Sequence, residues 1–160
     1  MNFYQASPQL EAYILDNAPL HEAVAEGAPS TYKELVRQLS SKGTYEPILV
    51  SDQGCDNTIF SKPEVNHALR AMHDIVHYNE SLGFSVEDEQ EVVRQMILDA
   101  ESLSAENGLT EEDLYVLFLD LAGQVLYHAK HGAYVIEQDR FVAACLKTNL
   151  WQVLQSNEVF

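Results

Sequence analysis

The stretch from residue 111 to residue 130, EEDLYVLFLDLAGQVLYHAK, decides the fold class because it is apolar on nearly every side. Thr110 and Asp113 form a capping-box pattern at its start, and Gly132 follows its end, so the stretch predicts one long helix. A helix without a broad polar face is typical of the centre of a helical core. We therefore expect a mainly α protein, a helical bundle packed around this segment.

Signals for further helices lie on the N-terminal side of this stretch and beyond it. Helix starts are predicted at Ser7-Pro8, Thr31-Tyr-Lys-Glu34, Ser61-Lys-Pro-Glu64 and Ser85-Val-Glu-Asp88, with ends near Asp16, Gly43, Gly83 and Asn107-Gly108. A last helix is expected from about Ala133 into the 150s. Residues 45–60 contain two short apolar runs around a polar segment, which predicts either a short β-hairpin or an ordered loop.

Length and composition predict a single domain. The chain has 160 residues, of which 46% are hydrophobic. This length is enough for one well-buried core but is short for two domains. No internal repeat or low-complexity linker divides it. We expect residues 1–160 to form one domain, with a variable N-terminal part at 1–60 and a helical core carrying the functional site at 61–156.

The chain is strongly acidic, with 25 acidic residues against 9 basic ones and a formal charge of −16. This charge disfavours direct binding to the phosphate backbone of nucleic acids. It suits solubility, a basic protein partner or mimicry of nucleic acid. The acids are scattered over the predicted helices, which favours solubility among the three.

Cysteine usage and the N-terminal sequence predict a cytoplasmic protein. Cys55 and Cys145 are far apart and belong to no CxxC pair, so neither a disulfide scaffold nor a thiolate zinc site is indicated. The first residues lack the basic and apolar regions of a signal peptide, and no run of about 18 apolar residues occurs. We expect neither secretion by such a peptide nor a membrane span.

Residues 67–77, HALRAMHDIVH, predict the functional site. On a helical projection His67, Arg70, His73, Asp74 and His77 share a face about 120° wide. Imidazoles collected on one face need partners for their ring nitrogens, and a metal ion or an anionic substrate would supply them. The alternative is a polar network that orders a helical core.

Two carboxylates on the neighbouring predicted helices also face inward. Glu89 shares the apolar face of its helix, whereas Glu91 points away from it. Asp120 lies in the middle of the most apolar helix, in line with Gln124. A buried carboxylate must be paired, metal-bound or protonated, so each is a candidate site residue. The alternative for Glu89 is a first-turn residue favoured by the helix dipole, and the alternative for Asp120 is a buried hydrogen bond to the histidine helix.

Together these residues predict a metal centre. We expect four metal ligands, His73, Asp74, His77 and Asp120. Glu89 is expected to act as a base or as a further ligand, and Arg70 is expected to contact the substrate anion. Imidazole with carboxylate and no thiolate favours Fe, Mn, Zn or Ni.

The order of these residues resembles a group of uncharacterised helical proteins of phages and mobile elements, which carry HDxxGH, GFxxxGEExAW, ETxGQxxW and EQK segments. The matching positions, between about residues 61 and 142, are Arg70, His73, Asp74 and His77; Gly83, Phe84 and Glu89; Asp120, Gly123, Gln124 and Tyr127; and Glu137 with Gln138. This chain departs from the pattern by lacking the glycine before His77 and by having Val93 and Tyr127 at tryptophan positions. The resemblance implies that the inward polar residues belong to one site and that the protein is of phage origin, acting in the host cytoplasm; it implies no activity.

A second resemblance is to the HD phosphohydrolases, whose ligands are a histidine, an adjacent His-Asp pair and a distant aspartate. His73, Asp74 and Asp120 match the last three, and His21, His67 or His77 is available for the first. This resemblance implies a divalent metal that activates water for attack on a phosphoryl group.

Three functions remain open at this point. The leading one is a small metal-dependent enzyme that hydrolyses a nucleotide or a related phosphate. The second is a non-haem iron oxygenase-like helical protein. The third is an acidic phage-encoded binding protein or inhibitor directed at a host protein, in which the histidine face is structural.

Overall fold

The computed structural model describes residues 3–160 and confirms a mainly helical protein. The elements in chain order are α1 (Pro8–Asn17), β1 (His21–Val24), α2 (Tyr32–Ser41), β2 (Ile48–Ser51), α3 (Pro63–Asn79), α4 (Val86–Ser102), α5 (Ser104–Asn107), α6 (Glu111–His131), α7 (Gln138–Lys147) and α8 (Leu150–Gln155). Most of the chain is therefore helix, with one small sheet near its N-terminal end.

Side-chain caps fix several helix boundaries where the sequence predicts them. Thr31 and Thr110 each form a complete capping box with the third helical residue, and the Ser85 hydroxyl accepts a hydrogen bond from the Asp88 amide. Gly132 ends α6 in the left-handed conformation, with φ of 69°. These local signals need no tertiary context, which is why the sequence predicts them well.

Other boundaries differ from the prediction. The Ser61 hydroxyl does not cap α3 but donates to the Glu11 carboxylate at 2.7 Å, and α3 begins at Pro63. The expected last helix begins only at Gln138 and is broken into α7 and α8. Asn149 starts α8 by accepting a hydrogen bond from the Gln152 amide at 2.9 Å, which favours a new helix over continuation of the old one.

The expected β-hairpin near residues 45–60 is corrected to a parallel pair of strands. β2 pairs with β1, with His21 opposite Ile48 and Val24 opposite Ser51. Parallel strands need a crossover connection, and α2 provides it. Residues 58–60 form a loop instead of a second strand, because Ile59 is fully buried in the main core and its carbonyl accepts from the Ala6 amide at 2.8 Å.

Two hydrophobic clusters pack on different faces of α3. The main cluster contains residues from α1, α4, α6, α7 and α8, with Leu10, Ile14 and Phe141 among its most buried side chains. The smaller cluster packs α2 and β2 against Ala71 of α3. Residues from the first 60 positions therefore belong to both clusters, and α3 is held from two sides.

α6 is the long helix of the main cluster and packs against α4, α7 and α8. It spans 21 residues, as its apolar pattern predicts, and it buries Asp120 among leucines. Across residues 3–160, none of the helices combines the length and the apolar character that a membrane crossing requires.

Candidate metal centre

Two histidines of α3 and one glutamate of α4 converge on a single point. The Nε2 atom of His73 lies 2.8 Å from Oε2 of Glu89, and the Nε2 atom of His77 lies 3.2 Å from the same oxygen. The two Nε2 atoms are 3.1 Å apart. These three side chains are the group of potential metal ligands found in the described part of the chain.

His77 is held by the backbone that follows its own helix. Its ring is completely buried, and its Nδ1 atom lies 3.0 Å from the carbonyl oxygen of Leu82, to which it donates. In the neutral ring this hydrogen bond places the lone pair on Nε2, the atom that faces Glu89. Phe84 packs edge-on against the ring at 4.8 Å between centroids, which fixes its orientation further.

His73 is held in the same manner by a side chain. Its Nδ1 atom lies 3.3 Å from Oδ1 of the neighbouring Asp74, on the opposite side of the ring from Glu89. Both imidazoles thus turn Nε2 toward the centre and use Nδ1 for a hydrogen bond. Metal-binding histidines usually have this arrangement, because the outer hydrogen bond fixes the tautomer and the ring orientation.

The turn between α3 and α4 brings Glu89 to the histidines. The Leu82 amide donates to the His77 carbonyl at 3.0 Å, and the Gly83 amide donates to the Asp88 side chain at 2.9 Å. Ser81 adopts the left-handed conformation, with φ of 56°, which reverses the chain. Since the start of α4 is tied to this turn, Glu89 in its first turns faces α3.

His73 and Glu89 strongly shift each other's pKa values. Burial opposes charge on His73, but its hydrogen bonds to Asp74 and Glu89 outweigh this effect and raise the pKa of His73 to about 9. Burial also opposes charge on Glu89, but the hydrogen bonds from the two histidines lower its pKa to about 2. Without an ion, a proton on His73 therefore holds the centre together.

A cavity of about 720 Å³ adjoins His73 and Glu89. His73, Asp74 and Glu89 lie on its wall, so the centre is open to a small molecule from one side. α3 and α4 supply this wall, while the end of β2 and the following loop, through Ser51 and Gln53, supply another. A cavity of this size next to convergent polar groups is typical of a ligand site.

Arg70 also lines the cavity, one turn before His73 on α3. Its Nη1 atom donates to the Ser51 carbonyl at 2.5 Å, which anchors the guanidinium to the end of β2. Arg70 makes no salt bridge to a carboxylate in the described residues. Its remaining N–H groups and its charge are thus available to an anion in the cavity.

Asp120 lies on the cavity wall but outside the cluster of His73, His77 and Glu89. It is 4% exposed, and its Oδ1 atom has no hydrogen-bonding partner. Burial raises the pKa of Asp120 to about 7, and the Gln124 side chain and the charge of Arg70 offset this effect only in part. The sequence predicts Asp120 as a metal ligand; the structure places it on the wall of the same cavity but not within the group of His73, His77 and Glu89.

The structure thus brings together His73, His77 and Glu89 and places Asp74 outside them, as a partner of His73. It places Glu89 within hydrogen-bonding distance of both imidazoles. The carbonyl of Leu82, which accepts from Nδ1 of His77, cannot be predicted from the sequence, because every residue has a backbone oxygen. His67 faces Arg70 and lies outside the cluster; burial lowers its pKa, followed in size by the charge of Arg70.

Comparisons of the chain with protein-family models, with curated proteins and with solved structures find no match. The resemblances to the phage group and to the HD phosphohydrolases therefore remain predictions. The function has to be inferred from the site itself.

Proposed function

We propose that the protein is a metal-dependent hydrolase whose divalent transition metal is held by His73, His77 and Glu89. The observation that carries this proposal is the convergence of the two Nε2 atoms and Oε2 of Glu89 within 2.8–3.2 Å of one another. Donor atoms bound to one ion at about 2.0–2.1 Å stand roughly 2.9 Å apart at right angles and roughly 3.4 Å apart in a tetrahedron. The three atoms are spaced for a single ion.

The ligand types support a catalytic rather than a structural metal. Two histidines and a glutamate are a recurring ligand set of catalytic zinc, in which the fourth position is left for water. A metal in that position lowers the pKa of bound water to about 7 and so supplies hydroxide at neutral pH. The cavity on the open side of His73 and Glu89 gives a substrate access to that water.

Asp74 has a positioning role in this proposal. By accepting from Nδ1 of His73 it holds the ring in the tautomer that presents the Nε2 lone pair to a metal. It also makes His73 a stronger electron donor. The Leu82 carbonyl does the same for His77, so each histidine has one fixed outer partner.

The proposed substrate is a nucleotide or a related phosphate. Arg70 places a guanidinium on the cavity wall of a protein whose formal charge is −16, and its planar donors suit a phosphate. The same cavity wall carries His73, one turn away on α3. A phosphoryl group bound by Arg70 would thus lie on the side of the cavity where metal-bound water is generated.

The test begins with the metal. Untagged protein should contain up to one equivalent of a transition metal by elemental analysis, and metal-free protein should hydrolyse nucleotides or p-nitrophenyl phosphate only after Zn²⁺, Mn²⁺, Fe²⁺ or Ni²⁺ is added. Glu89→Gln should abolish both metal content and activity, because the amide is a poor metal ligand.

The matched control is Glu87→Gln, which changes the same residue type two positions earlier, at an exposed position of α4. It should leave metal content and activity at the level of the unchanged chain. Equal metal content in the two variants would contradict the assignment of Glu89, and metal-free protein from every preparation would contradict the proposal.

A second candidate is an iron-dependent oxygenase, because two histidines and one carboxylate are also the facial triad of non-haem Fe(II) enzymes. The spacing of the three donor atoms fits right-angled positions as well as tetrahedral ones. The two candidate functions differ in their requirements for metal and oxygen. The oxygenase requires Fe²⁺ and consumes O₂, whereas the hydrolase is active with Zn²⁺ under nitrogen.

A further inference from the structure

Two buried oxygen atoms on the cavity wall lack hydrogen-bonding partners. They are Oδ1 of Asp120 and Oε1 of Gln138, whose residues are 4% and 9% exposed. Both residues line the cavity that adjoins the proposed metal centre. Buried polar atoms in folded proteins are nearly always satisfied, so two unsatisfied acceptors on one cavity indicate a missing donor.

The packing of α6 against α7 accounts for the placement of these two residues. Gly123, one turn after Asp120, leaves room for the Phe141 ring: a Cβ atom on Gly123 would lie only 2.4 Å from Cε1 of Phe141. Because Phe141 is in the first turn of α7, this contact brings the start of that helix against α6. Gln138, the first residue of α7, thereby reaches the same cavity as Asp120.

The chain itself leaves these two oxygen atoms without donors. The Gln124 side chain hydrogen-bonds to Asp120, and the guanidinium of Arg70 acts on it through its charge, but Oδ1 stays without a partner and Arg70 donates to the Ser51 carbonyl. The two unpartnered atoms on the cavity wall are a carboxylate oxygen and an amide oxygen, both acceptors. A ligand that fits them must bring N–H groups, and a positive charge would favour its binding to Asp120.

We propose that Asp120 and Gln138 bind an amino or ammonium group of the substrate in the cavity that His73 and Glu89 also line. The inference rests on the proposed function for the identity of the reacting group, and it adds that the substrate carries a nitrogen group with at least two N–H donors. The cavity then recognises an amine-bearing phosphate, with Arg70 and the metal at the phosphate and Asp120 at the nitrogen.

The experiment uses methylammonium chloride as the probe and tetramethylammonium chloride, which has the same charge but no N–H, as its control. Full-length protein kept metal-free with a chelator is titrated at about pH 8, where the Asp120 carboxylate is ionised. The carboxyl carbon of Asp120 and the side-chain amide of Gln138 are followed by NMR. We expect saturable shifts of both with methylammonium, at a dissociation constant on the order of 10 mM for so small a ligand, and none with tetramethylammonium.

Variants localise the effect. Asp120→Asn replaces one carboxylate oxygen by an NH2 group and removes the negative charge, so methylammonium binding should weaken at least tenfold. Gln138→Met removes only a neutral acceptor and should weaken binding less. Glu111→Gln, at an exposed position of α6, should change nothing. Amide spectra of each variant report whether it is folded.

Absence of saturable shifts, equal shifts with both salts, or unchanged binding by Asp120→Asn and Gln138→Met overturns the inference. The metal plays no part in this measurement, so its result is independent of the metal assay with Glu89→Gln. Each proposal can therefore fail alone.

Discussion

The Nε2 atoms of His73 and His77 lie 3.1 Å apart, one turn from each other on α3, while each Nδ1 atom is engaged on the opposite side of its ring. Two imidazole nitrogens at this distance need something between or beside them, because two lone pairs repel. A proton on His73, shared with Glu89, provides it in the absence of an ion. A metal would displace that proton, so metal binding should release protons and weaken as the pH falls below about 9, the pKa of His73.

The first prediction concerns thermal stability. Adding Zn²⁺ to metal-free protein should raise the melting temperature, since an ion at 100 times its dissociation constant stabilises the native state by about 2.7 kcal/mol. His73→Ala should remove the increase. The corresponding control is His128→Ala, an exposed histidine of α6, which should keep it. Identical melting curves with and without metal would show that the three residues form only a structural network.

The second prediction isolates the positioning role of Asp74. Asp74→Asn keeps the side-chain size and an acceptor oxygen but removes the negative charge that strengthens the hydrogen bond from Nδ1 of His73. Metal affinity should fall by roughly 10- to 100-fold, as is usual when such an outer partner is lost. Competition with a chromophoric chelator measures the affinity. Asp99→Asn, exposed on α4, is the control and should leave it unchanged; a complete loss of binding by Asp74→Asn would indicate a direct ligand instead.

The third prediction uses the titration of Asp120. Its pKa of about 7 lies above the ordinary value of 3.8, so the folded state holds this proton more tightly than the unfolded state. The stability that the group contributes is present below pH 4 and is lost as the pH rises to 7 and beyond. In metal-free protein the unchanged chain should therefore lose stability relative to Asp120→Asn between pH 4 and pH 8, by roughly 4 kcal/mol at most.

Urea unfolding of both proteins across this pH range provides the measurement. The comparison cancels the contributions of His73 and Glu89, which both chains share. A stability difference that does not change with pH would place the Asp120 pKa near its ordinary value.

The fourth prediction tests the contact between α6 and α7. Gly123→Ala would place a Cβ atom 2.4 Å from Cε1 of Phe141, so the helices must separate or the ring must move. Overpacking of this kind typically costs 1–3 kcal/mol. Gly43→Ala, where the nearest atom is 3.5 Å away on the exposed Glu46 side chain, should be nearly neutral. Chemical denaturation gives both values, and restoration of stability by Phe141→Leu in the Gly123→Ala chain would confirm the cause.

The sequence predicts that His73, His77 and Glu89 face one another because their placement depends on local geometry. His73 and His77 are four residues apart, a spacing that places them on one face of any helix, and Glu89 lies on the apolar face of the next helix. Asp120 is not part of this group in the structure. A helical projection predicts that Asp120 points inward, but it gives no distance between α6 and α3, so it cannot tell which inward groups meet.

The sheet shows the same limit. β2 is recognisable from its apolar run, but its partner β1 lies on the far side of α2, and nothing near residues 45–60 identifies it. The polar segment within residues 45–60 predicts a hairpin because turn residues indicate only how segments adjacent in the chain are connected. Pairing across a helix depends on the surface of α3 on which both strands pack.

The proposed ion ligands and the cavity wall formed by Ser51 and Gln53 come from different segments of the chain. The residues proposed to hold the ion come from α3 and α4, whereas the side chains of Ser51 and Gln53 line the cavity without a hydrogen bond to any of them. An exchange of this loop can therefore reshape the entrance for a different ligand while the ion-binding atoms stay in place. For a protein engineer, α3 and α4 are a fixed frame, and residues 51–54 are the segment to vary.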